Sequence, residues 1–182
     1  MMFYIGHFEF ADYDLPYNEA ALLIPVIHEG RTGYYAVVLY LDQPNPVVGG
    51  REIYGWPKKE AEQILYKEEN GKITASVTRH GQQIIKASFE TQQKVDPIPD
   101  RPKEPVFTLK YVWSVQKDAP PDVLKLISNT MDPDVTKELP VGKATLQFGD
   151  SSFDAILSKI PIKEIMYSET VVHDFGIWGA RC

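Results

Sequence analysis

QILYKEENGKITASVTRHGQQIIKASF, Gln63 to Phe89, is the stretch that sets the fold class. Apolar and β-branched residues alternate with polar ones in three short runs, Gln63–Lys67, Lys72–Thr78 and Gln83–Phe89. A period of two is the mark of a strand with one buried face. Asn70-Gly71 separates the first two runs and His80-Gly81 the next two. Asn-Gly is the strongest short hairpin signal, because both central residues of the favoured tight turn take positive φ. Three strands in an antiparallel meander are expected.

Upstream, Ala21–Ile27 and Tyr34–Leu41 are apolar, β-branched and aromatic, with the glycine-bearing turn Glu29–Gly33 between them. They read as a second hairpin. Downstream, VDPIPDRPKEPV (Val95 to Val106) holds four prolines in twelve residues. Proline has no ladder N–H, so this segment is expected outside any sheet, crossing the surface between two halves of one domain, 1–182. Val106–Trp113, Lys143–Phe148 and Lys163–His173 pattern as strands, and Ser152–Leu157 as a short helix. Asp122–Thr130 fits either a short helix or a strand. The expected fold is mainly β, all-β or α+β, with about nine short antiparallel strands and few short helices. Closure into a barrel or cone is the preferred architecture, because closure removes exposed edges.

Composition narrows the function. The net charge of −6 and pI near 5.2 argue against a nucleic-acid binder, which needs a concentrated basic surface, and give no reason to invoke an anionic membrane. The N-terminal MMFYIGHFEFADYD has no basic leader region, and no apolar run reaches the ~18 residues of a membrane span, so a cytoplasmic location is expected. The single cysteine, Cys182, permits no intramolecular disulfide, and His7, His28, His80 and His173 show no zinc-like spacing. No metal or cofactor is expected. GGREIYG lacks the closing Lys-Ser/Thr of a phosphate loop, so Gly49-Gly50 is read as a tight backbone turn. With neither Gly-x-Ser-x-Gly nor His-Glu-x-x-His present, carboxylates and lysines are left to carry chemistry.

One lysine pair stands out. In GGREIYGWPKK, Gly49 to Lys59, Lys58 and Lys59 directly follow Trp56-Pro57. A lysine pair is ordinarily solvated surface. Lysine attacks a ketone only as the free amine, which requires desolvation or a nearby cation to weaken its hold on the proton. Adjacent residues point to opposite faces of a strand, so Lys59 is expected to be the lesser influence and burial the greater. Two charges about 7 Å apart interact by only about 0.6 kcal/mol in water and about 2.4 at an effective dielectric of 20.

GGREIYGWPKK resembles the signature of the acetoacetate decarboxylase family, for which activation of a lysine by such means is the known example. PYNEAALLIPV (Pro16 to Val26) is similar to the family segment that carries a site glutamate, and Glu19 falls at that position. LYLDQPNPVVGGRE, LPVGKATLQFGD and IPIKEIMYSET extend the similarity along most of the chain. The resemblance implies Lys58 as the Schiff-base lysine, Lys59 as its electrostatic helper and Glu19 as the carboxylate beside the imine. Glu9 matches a second family glutamate only if a short deletion is allowed, and a solvent-facing strand glutamate is the competing reading. Trp56-Pro57 would form an apolar wall, while Arg51 and Glu52 are read as structural, an ion pair setting the loop.

The implied activity is decarboxylation of acetoacetate or a related β-keto acid, in a homo-oligomer, with no cofactor. A Schiff-base aldolase or dehydratase acting on a pyruvate-like keto acid, and a non-catalytic barrel binding a small ligand, are the alternatives. The chain reads as a short member of the family. An arginine in the N-terminal segment of longer members has no counterpart among Arg31, Arg51, Arg79, Arg101 and Arg181.

Overall fold

A computed structural model describes residues 1–9, 16–95, 104–135, 139–169 and 173–181. It contains β1 (Met2–Phe8), β2 (Tyr17–His28), β3 (Arg31–Leu41), α1 (Pro44–Tyr54), β4 (Lys58–Glu60), β5 (Gln63–Glu69), β6 (Lys72–Arg79) and β7 (Gln82–Val95). These are followed by β8 (Val106–Val112), β9 (Val123–Val135), β10 (Leu139–Phe148), α2 (Ala155–Ser158) and β11 (His173–Arg181). The strands form a seven-stranded sheet, ordered β1-β2-β3-β8-β9-β11 with β4 also on β3, and a four-stranded sheet ordered β10-β7-β6-β5. The chain divides into two compact units. One is Met1–Glu60, Pro102–Pro133 and Phe175–Cys182; the other is Ala61–Arg101 and Asp134–Asp174.

The meander is as the alternation predicts, with β5, β6 and β7 pairing antiparallel in order. Three hairpins turn on two residues each, Glu29-Gly30, Asn70-Gly71 and His80-Gly81, and all six residues have positive φ. That is the geometry whose twist matches paired strands. Val123–Thr130 resolves as strand, within β9, because β8 offers it a partner from Val106↔Asn129 to Val112↔Val123, while Asp122 lies just before the strand.

Four expectations are corrected. Among the described residues neither sheet pairs its first strand with its last, so two open sheets stand where a closed barrel was expected. The pairing is not wholly antiparallel either, since β3 pairs parallel with both β4 and β8. Residues 161–168 form no strand and Glu169 makes one isolated bridge to Val141; residues 170–172 lie outside the described ones, and β11 is described from His173. Gly49-Gly50 is not a tight turn but part of α1, which the sequence reading missed. The proline-rich segment lies mostly in 96–103, outside the described residues. Among the described residues no helix is long and apolar enough to cross a membrane.

In the first unit, Tyr17, Ala21, Leu23, Ala36, Leu39, Leu41, Trp56 and Val106 form a buried apolar cluster. Fully burying a side chain such as Leu39 or Leu41 stabilises by roughly 1.5–3 kcal/mol. The candidate site residues grow out of this cluster.

Candidate active site

Strand register builds the site. Tyr4 pairs with Ala21, Ala21 with Leu39 and Leu39 with Lys58, so four strands contribute one continuous row. One step along the same face, Glu19 lies between Gly6 and Leu41. Side chains two apart in a strand share a face, so Tyr17, Glu19 and Ala21 point the same way. Gly6 presents no side chain opposite Glu19, and Tyr4 reaches it on the diagonal. The Tyr4 hydroxyl donates to Glu19 Oε1 at 2.5 Å.

Lys58 Nζ lies 3.1 Å from Glu19 Oε2. Both residues are buried, with exposures of 9% and 4%. Among the described residues Oε2 has no hydrogen-bond partner, so the Lys58 contact is an ion pair that leaves acceptor capacity on the oxygen. The ammonium also sits 5.8 Å from the centroid of the Tyr17 ring, within cation–π range. Tyr17 in turn stacks on its cross-strand partner Phe8, with ring centroids 4.9 Å apart. Burial, and then the Glu19 carboxylate, hold the Tyr4 phenol well above its ordinary value near 10. Tyr4 therefore remains a proton donor to Glu19 across the neutral range.

Helix α1 delivers Lys58. It begins with Pro44 in its first turn, where a missing N–H costs nothing, and ends at Gly55 in the left-handed region with φ 68°. The Gly55 N–H donates to the Arg51 carbonyl, and the Trp56 N–H to the Gly50 carbonyl. After Pro57 the chain enters β4 beside β3, with Leu39 N–H donating to the Pro57 carbonyl. Arg51 Nη1 donates to the Lys58 carbonyl at 3.1 Å, so Arg51 fastens the start of β4 rather than setting the loop through Glu52, which is exposed.

Lys58 and Glu19 come together as expected. Lys59 pairs with Tyr40 and, by strand alternation, faces away from Lys58; it is half-buried. Glu9 is exposed, one residue past β1, and makes no hydrogen bond or ion pair among the described residues. Trp56 is buried in the apolar cluster, and among the described residues its indole N–H has no partner. Tyr4, which the structure brings to Glu19, was not expected there. No local signal marks Tyr4, because its role comes from pairing with β2.

The sequence profile of the family described as "Acetoacetate decarboxylase (ADC)" matches residues 1–180. The chain belongs to the acetoacetate decarboxylase family. It is 30% identical over 169 residues to an acetoacetate decarboxylase of Burkholderia cenocepacia, covering 88% of this chain and 65% of that protein. A Ralstonia nicotianae acetoacetate decarboxylase is 28% identical with the same coverage. The chain thus spans just under two thirds of the length of these relatives. Among solved structures, acetoacetate decarboxylase from Legionella pneumophila superposes with a TM-score of 0.84 at 24% identity, covering 98% of this chain and 73% of that one. The enduracididine biosynthesis enzyme MppR, complexed with the condensation product of pyruvate and imidazole 4-carboxaldehyde, superposes at 0.71 with 19% identity, covering 92% and 66%. At these identities the superpositions speak to the fold alone, a mainly β acetoacetate decarboxylase-like fold with few helices.

Proposed function

We propose that the protein is a Schiff-base-forming carboxy-lyase acting on acetoacetate or a related β-keto acid. The observation that carries this reading is the buried Lys58–Glu19 pair in a chain of this family. Glu19 accepts the ammonium proton of Lys58, and the freed amine adds to the ketone carbon. Loss of water, with a proton supplied from Glu19, leaves a protonated imine. The bond to the substrate carboxyl then breaks. Its electron pair moves into the imine, carbon dioxide departs and a neutral enamine remains. Protonation at carbon and hydrolysis release the ketone and regenerate the lysine. The protonated imine is itself the electron sink, so the sequence of steps calls on no metal or organic cofactor. Lys59 contributes from the opposite face, as a charge only.

A second reading is favoured by the likeness to MppR, whose structure holds a product of pyruvate condensation. There the same Lys58 imine would serve aldol or dehydration chemistry on a pyruvate-like keto acid. Borohydride reduction in the presence of acetoacetate, and separately of pyruvate, tests both. A reduced adduct on Lys58, lost in Lys58→Ala, is expected, and product analysis with acetoacetate, and with pyruvate plus an aldehyde, separates the two. Absence of any adduct on the folded protein would sink both and leave a non-catalytic ligand-binding protein.

A further inference from the structure

Gly50 lies inside α1, is buried, and has no positive φ that would demand glycine. Helical conformation alone would favour alanine there. The space beside it gives a different reason. A Cβ on Gly50 would lie 2.6 Å from Lys58 Cδ, 2.8 Å from Cε and 3.3 Å from Nζ. Those first two distances are closer than non-bonded carbons approach, since optimal contact is about 3.5–4.0 Å. Gly49, its neighbour in the same helix, has nothing within 4 Å of the equivalent position.

We propose that Gly50 is a positioning residue: its missing side chain forms the slot in which the Lys58 stem lies, and α1 thereby sets the reach of the amine to Glu19. The inference rests on Lys58 being the reactive amine. The atoms that would be struck belong to the flexible part of the lysine, not to backbone. A methyl group at Gly50 is therefore accommodated by swinging Lys58 off the helix, which carries Nζ away from its 3.1 Å contact with Glu19. The fold keeps its helix and the site loses its geometry. Displacement of a reacting group by ~1 Å can cost about 100-fold in rate.

Gly50→Ala and Gly49→Ala make a matched pair, because both give α1 an alanine and only one meets Lys58. Both are expected to fold, as judged by circular dichroism and thermal unfolding. Gly49→Ala should trap acetoacetate on Lys58 at the wild-type rate, and Gly50→Ala about 100-fold more slowly. A second readout does not depend on imine formation: the rate at which Lys58 is acylated by a small amine-directed reagent, followed by peptide mass spectrometry across pH. Its profile should shift in Gly50→Ala and stay put in Gly49→Ala. Equal trapping and equal acylation profiles in wild type and Gly50→Ala would overturn the inference, as would an equal loss in Gly49→Ala. If the wild type itself traps nothing, the Schiff-base reading falls, while the acylation profiles still judge the slot. If Gly50→Ala does not fold, the double variant Gly50→Ala/Lys58→Ala decides. Recovery of folding supports a collision with Lys58, and failure to recover overturns it.

Discussion

Glu19 is held from two sides. Tyr4 donates to one oxygen and Lys58 lies against the other, both inside an apolar surround. Tyr4→Phe removes a hydrogen bond to a charged acceptor, so it should destabilise by about 1.5–3 kcal/mol in a denaturant titration. The Tyr4 phenol is held above its ordinary value by burial and then by Glu19, so the folded state binds that proton more tightly than the unfolded state. Its contribution to stability is therefore complete below about pH 10 and declines as pH rises through the folded value. Burial, and then Glu68, also raise the Tyr66 phenol, so a tyrosinate absorbance titration of the wild type should show two phenols ionising late, and Tyr4→Phe should lose one of them. Glu19→Gln keeps the shape but not the proton acceptor, so kcat should fall by about 10²–10⁴ with little change in KM. Unchanged turnover would remove Glu19 from the chemistry. Lys58 and Glu19 were legible in the sequence through the Trp-Pro-Lys-Lys signature and the segment around Glu19. Tyr4 was not, because a diagonal cross-strand contact exists only after register is fixed.

Helix α1 shows why an element can be hidden. Gly49 and Gly50 each cost roughly 0.8–1.0 kcal/mol against alanine in a helix interior, and Val47, Val48 and Ile53 are β-branched. Intrinsic preference therefore argues against helix, and the need to carry the chain from β3 to a parallel β4 decides for it. The terminal signals were present all the same, with Pro44 at the start and Gly55 just past the end. Gly55 is a different case from Gly50. It has φ 68°, and a Cβ there would lie 2.7 Å from the backbone of Lys110. Gly55→Ala should lower stability by about 1–3 kcal/mol, measurable as a shift in thermal unfolding, because neither backbone can yield easily. The misread strand at Lys163–His173 has the opposite cause. Ile165 and Tyr167 suit a strand, but among the described residues the segment meets β10 through one isolated bridge, Glu169 to Val141, and through Ser168, whose carbonyl accepts from the Gly142 N–H and whose hydroxyl donates to the Gly142 carbonyl. A strand is completed by its neighbour.

Over the whole molecule, each unit has its own buried centre. In the first it is Ala20–Leu23 with Val38–Leu41, and in the second Val77, Ile84, Ile85 and Leu157. Amide hydrogen exchange should be slowest at the β2, β3, β6 and β7 members of these two centres. It should be faster along the edge strands β1 and β5, where one side of the ladder is open. Equal protection at edge and centre would contradict the burial pattern. A closed barrel was expected because closure removes edges, but the open edge at β5 is covered by charge instead, with Lys67, Glu68 and Glu69 all exposed. What the sequence determined by itself was local. Strand alternation and the glycine-bearing tight turns select their own backbone conformations, so the hairpins could be read directly, and the signature around Lys58 marked the family. What only the tertiary structure decided was which distant strands lie side by side. That is settled by burial of one shared apolar face, since period-two side chains reach the core in one register and miss it in the next. The same choice aligns Tyr4, Ala21, Leu39 and Lys58 in a row, sets Glu19 beside them, and turns Gly50 from a helix weakness into the slot for a lysine.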